Sequence, residues 1–294
     1  MKRKALYSVC LTVIFAFSLL SGATVIGAFT QRSIEIQDIG FSETICTSDA
    51  VLTTGDGIVN KYALIIGISD YNVISDLSYC DEDASDWFNY LDSMDYQITL
   101  LGDSHLDTYP QWDGYATEYN VKMAFAEILT VADEDDIIVF ASSGHGGRTR
   151  DSALKTFIYY LCMWDTSAGE NGENGLITQF ELKEMMAPSL AKTFVFLDHC
   201  FAGGFGNMFE NDNSANFYLA ATCTDNGYGW DDPEHQNGKW TYFFLEYALI
   251  GQLGGTGSME EAFDIALPPY LLEIHRPGDT PMEFDGNLET LFYL

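Results

Sequence analysis

Residues 136–147 read DIIVFASSGHGG, and residues 193–204 read TFVFLDHCFAGG. Each segment opens with a nearly continuous apolar run, which is typical of a parallel strand covered on both faces, and each run leads into a glycine-rich turn. Ligands of open α/β sheets bind outside the carboxyl ends of the strands. The two turns therefore place a histidine, His145, and a cysteine, Cys200, at the edge of the sheet where chemistry is expected.

The rest of the chain alternates between strand and helix patterns. Besides the two strands within the quoted segments, apolar runs predict strands at Tyr62–Ile68, Gln97–Leu101 and Asn216–Thr222, and an added strand or hairpin at Thr156–Met163. The apolar pattern predicts helices around Ala84–Leu91, Val121–Leu129, Lys239–Ile250 and Met259–Leu267, the last ending before Pro268-Pro269. This alternation predicts an α/β fold, with a mostly parallel central sheet flanked by helices in an α/β/α sandwich.

Composition narrows the classes of function. The chain has 294 residues, of which 44 are acidic and 13 basic, for a formal net charge of −31. Its 47% of hydrophobic residues is enough to bury a core, which argues against disorder. A charge this negative repels phosphate backbones and argues against a nucleic-acid partner. The acidity suits cation binding, a basic substrate or a saline habitat, and composition does not separate these three.

The N-terminus has the pattern of an export signal. Three basic residues at positions 2–4 precede an uncharged run, residues 5–29, that contains several small residues. Residues 1–28 are therefore predicted to be a signal peptide or, if uncleaved, a membrane anchor, so the protein is expected to be secreted or held at the cell surface. Residues 29–59 are predicted to be a linker, and residues 60–294 the folded domain.

The cysteine pattern favours free thiols over a metal cage. The six cysteines are Cys10, Cys46, Cys80, Cys162, Cys200 and Cys223. Cys10 lies in the predicted export segment, and the odd number that remains leaves at least one thiol free even if disulfides form. No CxxC pair or Cys/His spacing of a structural zinc site occurs. Cys46, Cys162 and Cys223 are predicted to be core residues or disulfide partners.

The order and spacing of the two turns point to a known family. His145 precedes Cys200 by 55 positions, close to the separation of histidine and nucleophile in caspases. With SGHG after one strand and DxCxxG after the next, the chain resembles the caspase-like cysteine peptidases, most closely their metacaspase branch. The resemblance covers about Lys61 to Leu253. It implies a caspase-like sandwich and a cysteine-type endopeptidase acting on proteins or peptides.

The resemblance also implies roles for individual residues. Cys200 corresponds to the nucleophile, His145 to the acid/base, and the backbone N–H groups of Gly146 and Cys200 to the oxyanion donors. The metacaspase specificity pocket corresponds to four residues of this chain: Cys80, Asp83, Ser143 and Asp198. Two carboxylates in a partly desolvated pocket favour a guanidinium or ammonium group, so cleavage after Arg or Lys is predicted.

The chain departs from the metacaspase pattern next to the nucleophile. Phe201 and Ala202 stand where metacaspases usually have a polar residue and a serine, which leaves the neighbouring subsites open. His199 adjoins Cys200, but adjacent strand residues point to opposite faces, so a packing or hydrogen-bonding role is predicted for it.

No cofactor is predicted to be required, although many metacaspases are activated by calcium. Asp165, Glu170 and Glu173 are candidate calcium ligands, since carboxylates on a glycine-rich loop suit this ion, but their spacing fits no EF-hand. A second acidic loop, with Asp231, Asp232 and Glu234, has no assigned role.

Three of the few basic residues, Arg148, Arg150 and Lys155, follow His145 closely. An enzyme that cuts after basic residues is therefore predicted to process itself there; the alternative is that these residues form a solvated loop.

Two other functions stay open. One is a legumain-like or clostripain-like specificity on the same fold, and the other is a catalytically inactive, acidic surface protein that binds cations or basic partners. An activated Cys200, which alkylates below the pH expected of an ordinary thiol, separates an enzyme from the inactive protein.

Overall fold

A seven-stranded, mostly parallel sheet forms the centre of the computed structural model, which describes residues 55–153, 155–210 and 213–294. The strands in chain order are β1 (Lys61–Gly67), β2 (Gln97–Gly102), β3 (Gly114–Tyr115), β4 (Ile137–Ser143), β5 (Gly146–Asp151), β6 (Thr156–Cys162), β7 (Leu176–Thr178), β8 (Lys192–Asp198), β9 (Phe217–Ala221), β10 (Asp231–Asp232), β11 (Asn237–Gly238) and β12 (Met282–Asp285). The large sheet has the order β12-β9-β8-β4-β1-β2-β3, in which β12 is antiparallel to β9 and the other neighbours are parallel. The predicted α/β fold with a mostly parallel sheet is confirmed.

Helices cover both faces of this sheet. They are α1 (Cys80–Asp92), α2 (Glu118–Leu129), α3 (Gln179–Met186), a π-helix (Tyr242–Gln252) entered through the helical turn Lys239–Thr241, and α4 (Met259–Leu271), with 3₁₀ segments at Ala202–Glu210, Ser214–Asn216 and Pro277–Asp279. Thr117 caps the N-terminus of α2, and Thr178 and Ser258 form capping boxes on α3 and α4. These caps fix where each helix leaves the sheet.

Successive strand residues divide the core into two layers, because side chains alternate between the faces of a strand. One layer joins the face carrying Leu64, Phe140 and Val195 to α2 and α3. The other joins the face carrying Ile65, Val139 and Phe196 to α1, the π-helix and α4. All six of these side chains are fully buried. The continuous apolar runs in the sequence reflect strands covered on both sides.

The register of the three central strands aligns the functional edge. Gly67 of β1 lies opposite Ser143 of β4, which in turn lies opposite Asp198 of β8. The residues that follow each strand therefore leave the sheet side by side. Two smaller sheets adjoin this edge: the antiparallel set β5-β6-β7, which begins directly after His145, and the two-stranded ribbon β10-β11.

Two predicted helices differ from those in the structure. The segment predicted to end before Pro268 continues through both prolines to Leu271. Each proline removes one backbone hydrogen bond near the end of the helix. The last turn is closed by the N–H groups of Leu272 and Glu273, each of which donates to the carbonyl oxygen three residues earlier. The segment after Lys239 is mostly a π-helix, whose apolar pattern is close to that of an α-helix.

The cysteines of the described residues are free. Cys80, Cys162 and Cys223 are buried thiols and Cys200 is half-buried, so the disulfide alternative for Cys162 and Cys223 does not occur here. Cys46, the export segment and nearly all of the linker lie outside the described residues and stay predictions. Within the described ranges, no helix is both long and apolar enough to cross a membrane.

Candidate active site

The histidine of the first sequence motif, His145, is held by the loop that follows β1. The His145 imidazole Nε2 lies 2.8 Å from the backbone carbonyl oxygen of Ser75. A carbonyl only accepts hydrogen bonds, so Nε2 carries the proton and Nδ1 is the nitrogen left to accept one. The backbone N–H of His145 donates to the hydroxyl of Tyr71 at 2.7 Å. The imidazole is thus oriented in a tautomer suited to a general base.

The turn that carries Cys200 packs directly against the turn that carries His145. A Cβ atom on Gly146 would clash with the carbonyl oxygen of Cys200, so the two backbones touch at a point where only glycine fits. This contact places the two predicted oxyanion donors, the N–H groups of Gly146 and Cys200, on adjoining segments.

His199 ties the two turns together. It is fully buried, its Nδ1 donates to the carbonyl of His145 at 3.1 Å, and its Nε2 accepts from the Ser142 hydroxyl at 2.8 Å. Burial lowers the pKa of His199 to about 4, so the ring is neutral. The hydrogen-bonding role predicted for this histidine agrees with the structure.

The Cys200 thiol lies in a mostly desolvated position. Its Sγ is 3.9 Å from the carbonyl oxygen of Gly229. Burial, with a smaller contribution from the Asp198 carboxylate, raises the pKa of this thiol. A protonated thiol is therefore expected in the free protein. This differs from the expectation of easy alkylation below the usual thiol pH, because the sequence does not reveal how far the sulfur is buried.

The four residues of the predicted specificity pocket converge at the carboxyl end of the sheet. Asp83 comes from the first turn of α1, where the helix N-terminus favours a negative charge, while Ser143 and Asp198 end β4 and β8. The Ser143 hydroxyl donates to Asp83 at 2.5 Å. Cys80 begins α1 and is buried beside them, and the pKa of its thiol is raised by burial and by Asp83.

The carboxylates of Asp83 and Asp198 meet beside Gly238. A Cβ on Gly238 would lie 2.5 Å from an oxygen of each carboxylate, so these oxygens are at most twice that distance apart. The Gly238 N–H donates to Asp83 at 2.7 Å, and the Thr241 N–H donates to Asp198 at 3.0 Å. Asp83 is 0% and Asp198 is 6% exposed. Two nearly buried carboxylates thus lie close together where the specificity pocket is predicted.

Among the described residues, no lysine or arginine forms an ion pair with Asp83 or Asp198, and the ion pairs of lysine and arginine involve other carboxylates. Burial raises the pKa of Asp198 to about 6, and burial together with the neighbouring Asp198 raises the pKa of Asp83 well above its usual range. A cation entering the pocket would relieve the cost of both charges.

Comparison with known proteins confirms the predicted family. A family model of the caspase domain matches residues 60–251. The chain belongs to the caspase-domain family. The crystal structure of a structural-genomics target protein from Geobacter sulfurreducens matches with a TM-score of 0.56 and 17% identity, over 76% of this chain and 92% of that chain. At this identity the likeness concerns the fold alone. No curated protein matches the chain.

The structure places several residues at the site that the sequence patterns did not indicate. Ser75 acts through its backbone carbonyl, which has no sequence signature. Gly238 ends the ribbon β10-β11 and Thr241 follows it, and this ribbon is too short to be detected by periodicity. Asp231, left without a role by the sequence, pairs with Gly238 across that ribbon and accepts the N–H of Ser78 at 3.0 Å. It brings a further carboxylate to the functional edge, and burial raises its pKa.

Phe201, the unusual residue after the nucleophile, links the cysteine turn to two neighbouring segments. Its φ of 63° is uncommon for an aromatic residue, and its N–H donates to Gly227 at 2.9 Å. The ring stands edge-on to Tyr228, with centroids 5.2 Å apart, and the Arg148 guanidinium lies 4.8 Å from its centre. Phe201 thus packs the cysteine turn against Tyr228 and Arg148, at a position where metacaspases usually have a polar residue.

The three calcium candidates do not share a site in the caspase domain. Asp165 accepts the N–H of Glu118, and Glu170 accepts the hydroxyl of Thr117. Glu173 instead clusters with Glu118 and Glu181. The trio does not form a compact group of ligand atoms such as the one around Glu173, and calcium dependence stays a prediction.

A lysine, Lys122, supplies a positive charge to the cluster of carboxylates that contains Glu173. The Lys122 ammonium is 2.6, 2.8 and 2.9 Å from the carboxylates of Glu118, Glu173 and Glu181. Glu118 is fully buried, and its second oxygen accepts the N–H groups of residues 174–176. The lysine and this glutamate hold the acidic loop against α2 and α3.

We expect Lys122→Met to destabilise the domain by about 2–3 kcal/mol, because it strands Glu118 without its ionic partner. Urea denaturation at neutral pH measures this as a lower midpoint with an unchanged slope. Lys183→Met, which loses a pair with the largely exposed Glu210, is the matched control and should cost less than about 1 kcal/mol. Equal losses in the two variants would contradict this role for Lys122.

Proposed function

We propose that the protein is an exported cysteine endopeptidase that cleaves proteins or peptides after Arg or Lys, using Cys200 and His145. The observation that carries the basic specificity is the buried pair of carboxylates, Asp83 and Asp198, beside the cysteine and histidine turns. A guanidinium matches two carboxylates with several directed hydrogen bonds, and each is strong when water is excluded. The basic run and apolar segment at the N-terminus support export.

The proposed reaction uses groups that the two turns bring together. His145 Nδ1 takes the thiol proton as Cys200 Sγ attacks the scissile carbonyl carbon. The N–H groups of Gly146 and Cys200 stabilise the oxyanion. As the intermediate collapses, the carbon–nitrogen bond breaks and His145 returns the proton to the leaving amine. Water, deprotonated by His145, then attacks the thioester and regenerates the thiol.

A panel of fluorogenic peptides ending in Arg, Lys, Asn or Asp tests the proposal, with and without calcium. Turnover after both Arg and Lys that disappears in Cys200→Ala supports it. Turnover after Asn alone favours the legumain-like alternative, and turnover after Arg alone, with Lys excluded, favours a clostripain-like specificity. Absence of turnover on every peptide, with and without calcium, favours the inactive, cation-binding alternative.

Self-processing, if it occurs, is expected after Lys155. Arg148 and Arg150 lie in β5, where their backbones pair with Tyr159 and Phe157 of β6, whereas a peptidase needs an unpaired segment. The Arg148 side chain also donates to Asp225 and Asn226. Lys155 is exposed at the turn between the two strands, with a φ of 55°. Intact mass after incubation identifies the cut, with Cys200→Ala as control; a first cut after Arg148 would contradict this expectation.

A further inference from the structure

We propose that Tyr71 is a positioning residue that sets the orientation of His145, through a hydroxyl that bridges the histidine turn to β6. This inference rests on the proposed function. Tyr71 is 5% exposed, follows β1 at the functional edge and belongs to none of the motifs that identify the family.

The hydroxyl of Tyr71 makes two backbone contacts, one with His145 and one with Cys162 of β6. It accepts the N–H of His145 at 2.7 Å and donates to the carbonyl of Cys162 at 3.3 Å. Cys162 in turn donates its N–H to the carbonyl of His145 at 2.8 Å. The ring of Tyr71 also packs against the imidazole, with centroids 5.0 Å apart. Both backbone polar groups of His145 are thus tied within one small network.

Gly144 makes this arrangement possible. A Cβ at this position would lie 2.5 Å from the Tyr71 hydroxyl, closer than real Cβ contacts occur. The absence of a side chain at Gly144 therefore leaves room for the Tyr71 hydroxyl. The glycine of the SGHG motif is needed for the contact between Tyr71 and His145.

One loop fixes His145 at two points. Tyr71 holds its backbone, and Ser75, four residues later, holds the imidazole Nε2 through its carbonyl. Asp76 stiffens the loop between them, because its carboxylate accepts the Tyr71 N–H at 3.1 Å. Loss of the hydroxyl would leave the His145 N–H without its partner and loosen the ring relative to Ser75.

Tyr71→Phe tests the proposal, with Tyr109→Phe as a closely matched control. The Tyr109 hydroxyl is also buried at this edge, accepts the N–H of Asp103 and donates to the carbonyl of Gly67, so it makes the same two kinds of bond without touching His145. Both variants should lose similar stability. Tyr71→Phe should lower kcat by about 10–100-fold with KM changed by less than about twofold, since small displacements of a catalytic group have effects of this size. Tyr109→Phe should leave kcat within about twofold.

Nitrogen NMR of ¹⁵N-histidine-labelled protein supplies a readout that does not require turnover. The His145 ring should show the Nε2–H tautomer in the parent and in Tyr109→Phe, and lose that preference in Tyr71→Phe. Equal kcat values for the two variants, or an unchanged His145 tautomer in Tyr71→Phe, would overturn the proposal. A parent protein with no peptidase activity refutes the proposed function, while the NMR comparison still decides the role of Tyr71.

Discussion

Asp198→Asn is expected to lower kcat/KM for peptides ending in Arg by about 10²–10³-fold, equivalent to about 3–4 kcal/mol. Asp198 is nearly buried and shares the pocket with Asp83, so a bound guanidinium would lose half of its compensating charge in a place where water cannot replace it. The asparagine oxygen can still accept the two hydrogen bonds from Thr241. The decrease in kcat/KM should therefore come from weaker recognition of the positive charge of the substrate.

The same substitution, Asp198→Asn, should not reduce the thermal stability of the protein. The ionised Asp198 is costly to bury, so Asp198→Asn should raise or leave unchanged the melting temperature at neutral pH. Asp232→Asn is the control: this buried neighbour pairs with His235, outside the pocket, and its loss should change kcat/KM by less than about threefold. An Asp198→Asn enzyme that keeps full activity on Arg peptides would refute the acidic pocket.

Binding of an arginine analogue should depend on pH with a definite sign. The pKa of Asp198 is raised from 3.8 to about 6 in the fold, so the folded state binds this proton more tightly than the unfolded state. This group therefore favours folding most at low pH, and its contribution declines as pH rises from about 4 to about 6. Agmatine needs the ionised form, so it should raise the melting temperature more at pH 7.5 than at pH 5. The same shift at both values would contradict this titration.

His145→Ala is expected to reduce kcat by about 10²–10⁴-fold, because no other base takes the proton of Cys200. His199 cannot replace it: its ring is buried, and both of its nitrogens are engaged by His145 and Ser142. Because burial raises the pKa of the Cys200 thiol, little thiolate forms at neutral pH without a base.

Steady-state kinetics on the best peptide of the panel measures the loss. His105→Ala serves as control, since His105 is half-exposed and lies beside Asp81, away from the cysteine turn. Its activity should stay within about twofold of the parent. Retention of more than a tenth of kcat in His145→Ala would show that this histidine is not the proton acceptor.

The sequence was sufficient for five of the seven strands of the central sheet and for the pairing of the two turns, whereas the short edge strands β3 and β12 leave no such signal. Continuous apolar runs are strong signals, and parallel strands bring their carboxyl ends to one edge, so His145 and Cys200 could be placed together without coordinates. The same reasoning could have found Tyr71, which also follows a strand end. A tyrosine between polar residues, however, has no distinctive spacing that marks it as part of a site.

Other parts of the site leave little trace in the sequence. The Ser75 carbonyl is a backbone group, and any residue could supply it. Gly238 contributes because it lacks a side chain, and its importance emerges only when two carboxylates are seen beside it. Burial of Cys200 depends on packing from distant segments, so the raised thiol pKa was not foreseeable from local sequence.

The aligned row of Gly67, Ser143 and Asp198 has a consequence for how this scaffold can diversify. These residues lie at the last positions of their strands, beyond the apolar side chains that join the sheet to its helices. Gly67 cannot vary, because a Cβ there would clash with the carbonyl oxygen of Cys80. Point substitutions at Ser143 and Asp198 can change the charge of the pocket while the two core layers keep their packing. Descendants of one ancestral scaffold could exchange preferences among basic, neutral and acidic residues through very few mutations, because selectivity and foldability depend on separate positions.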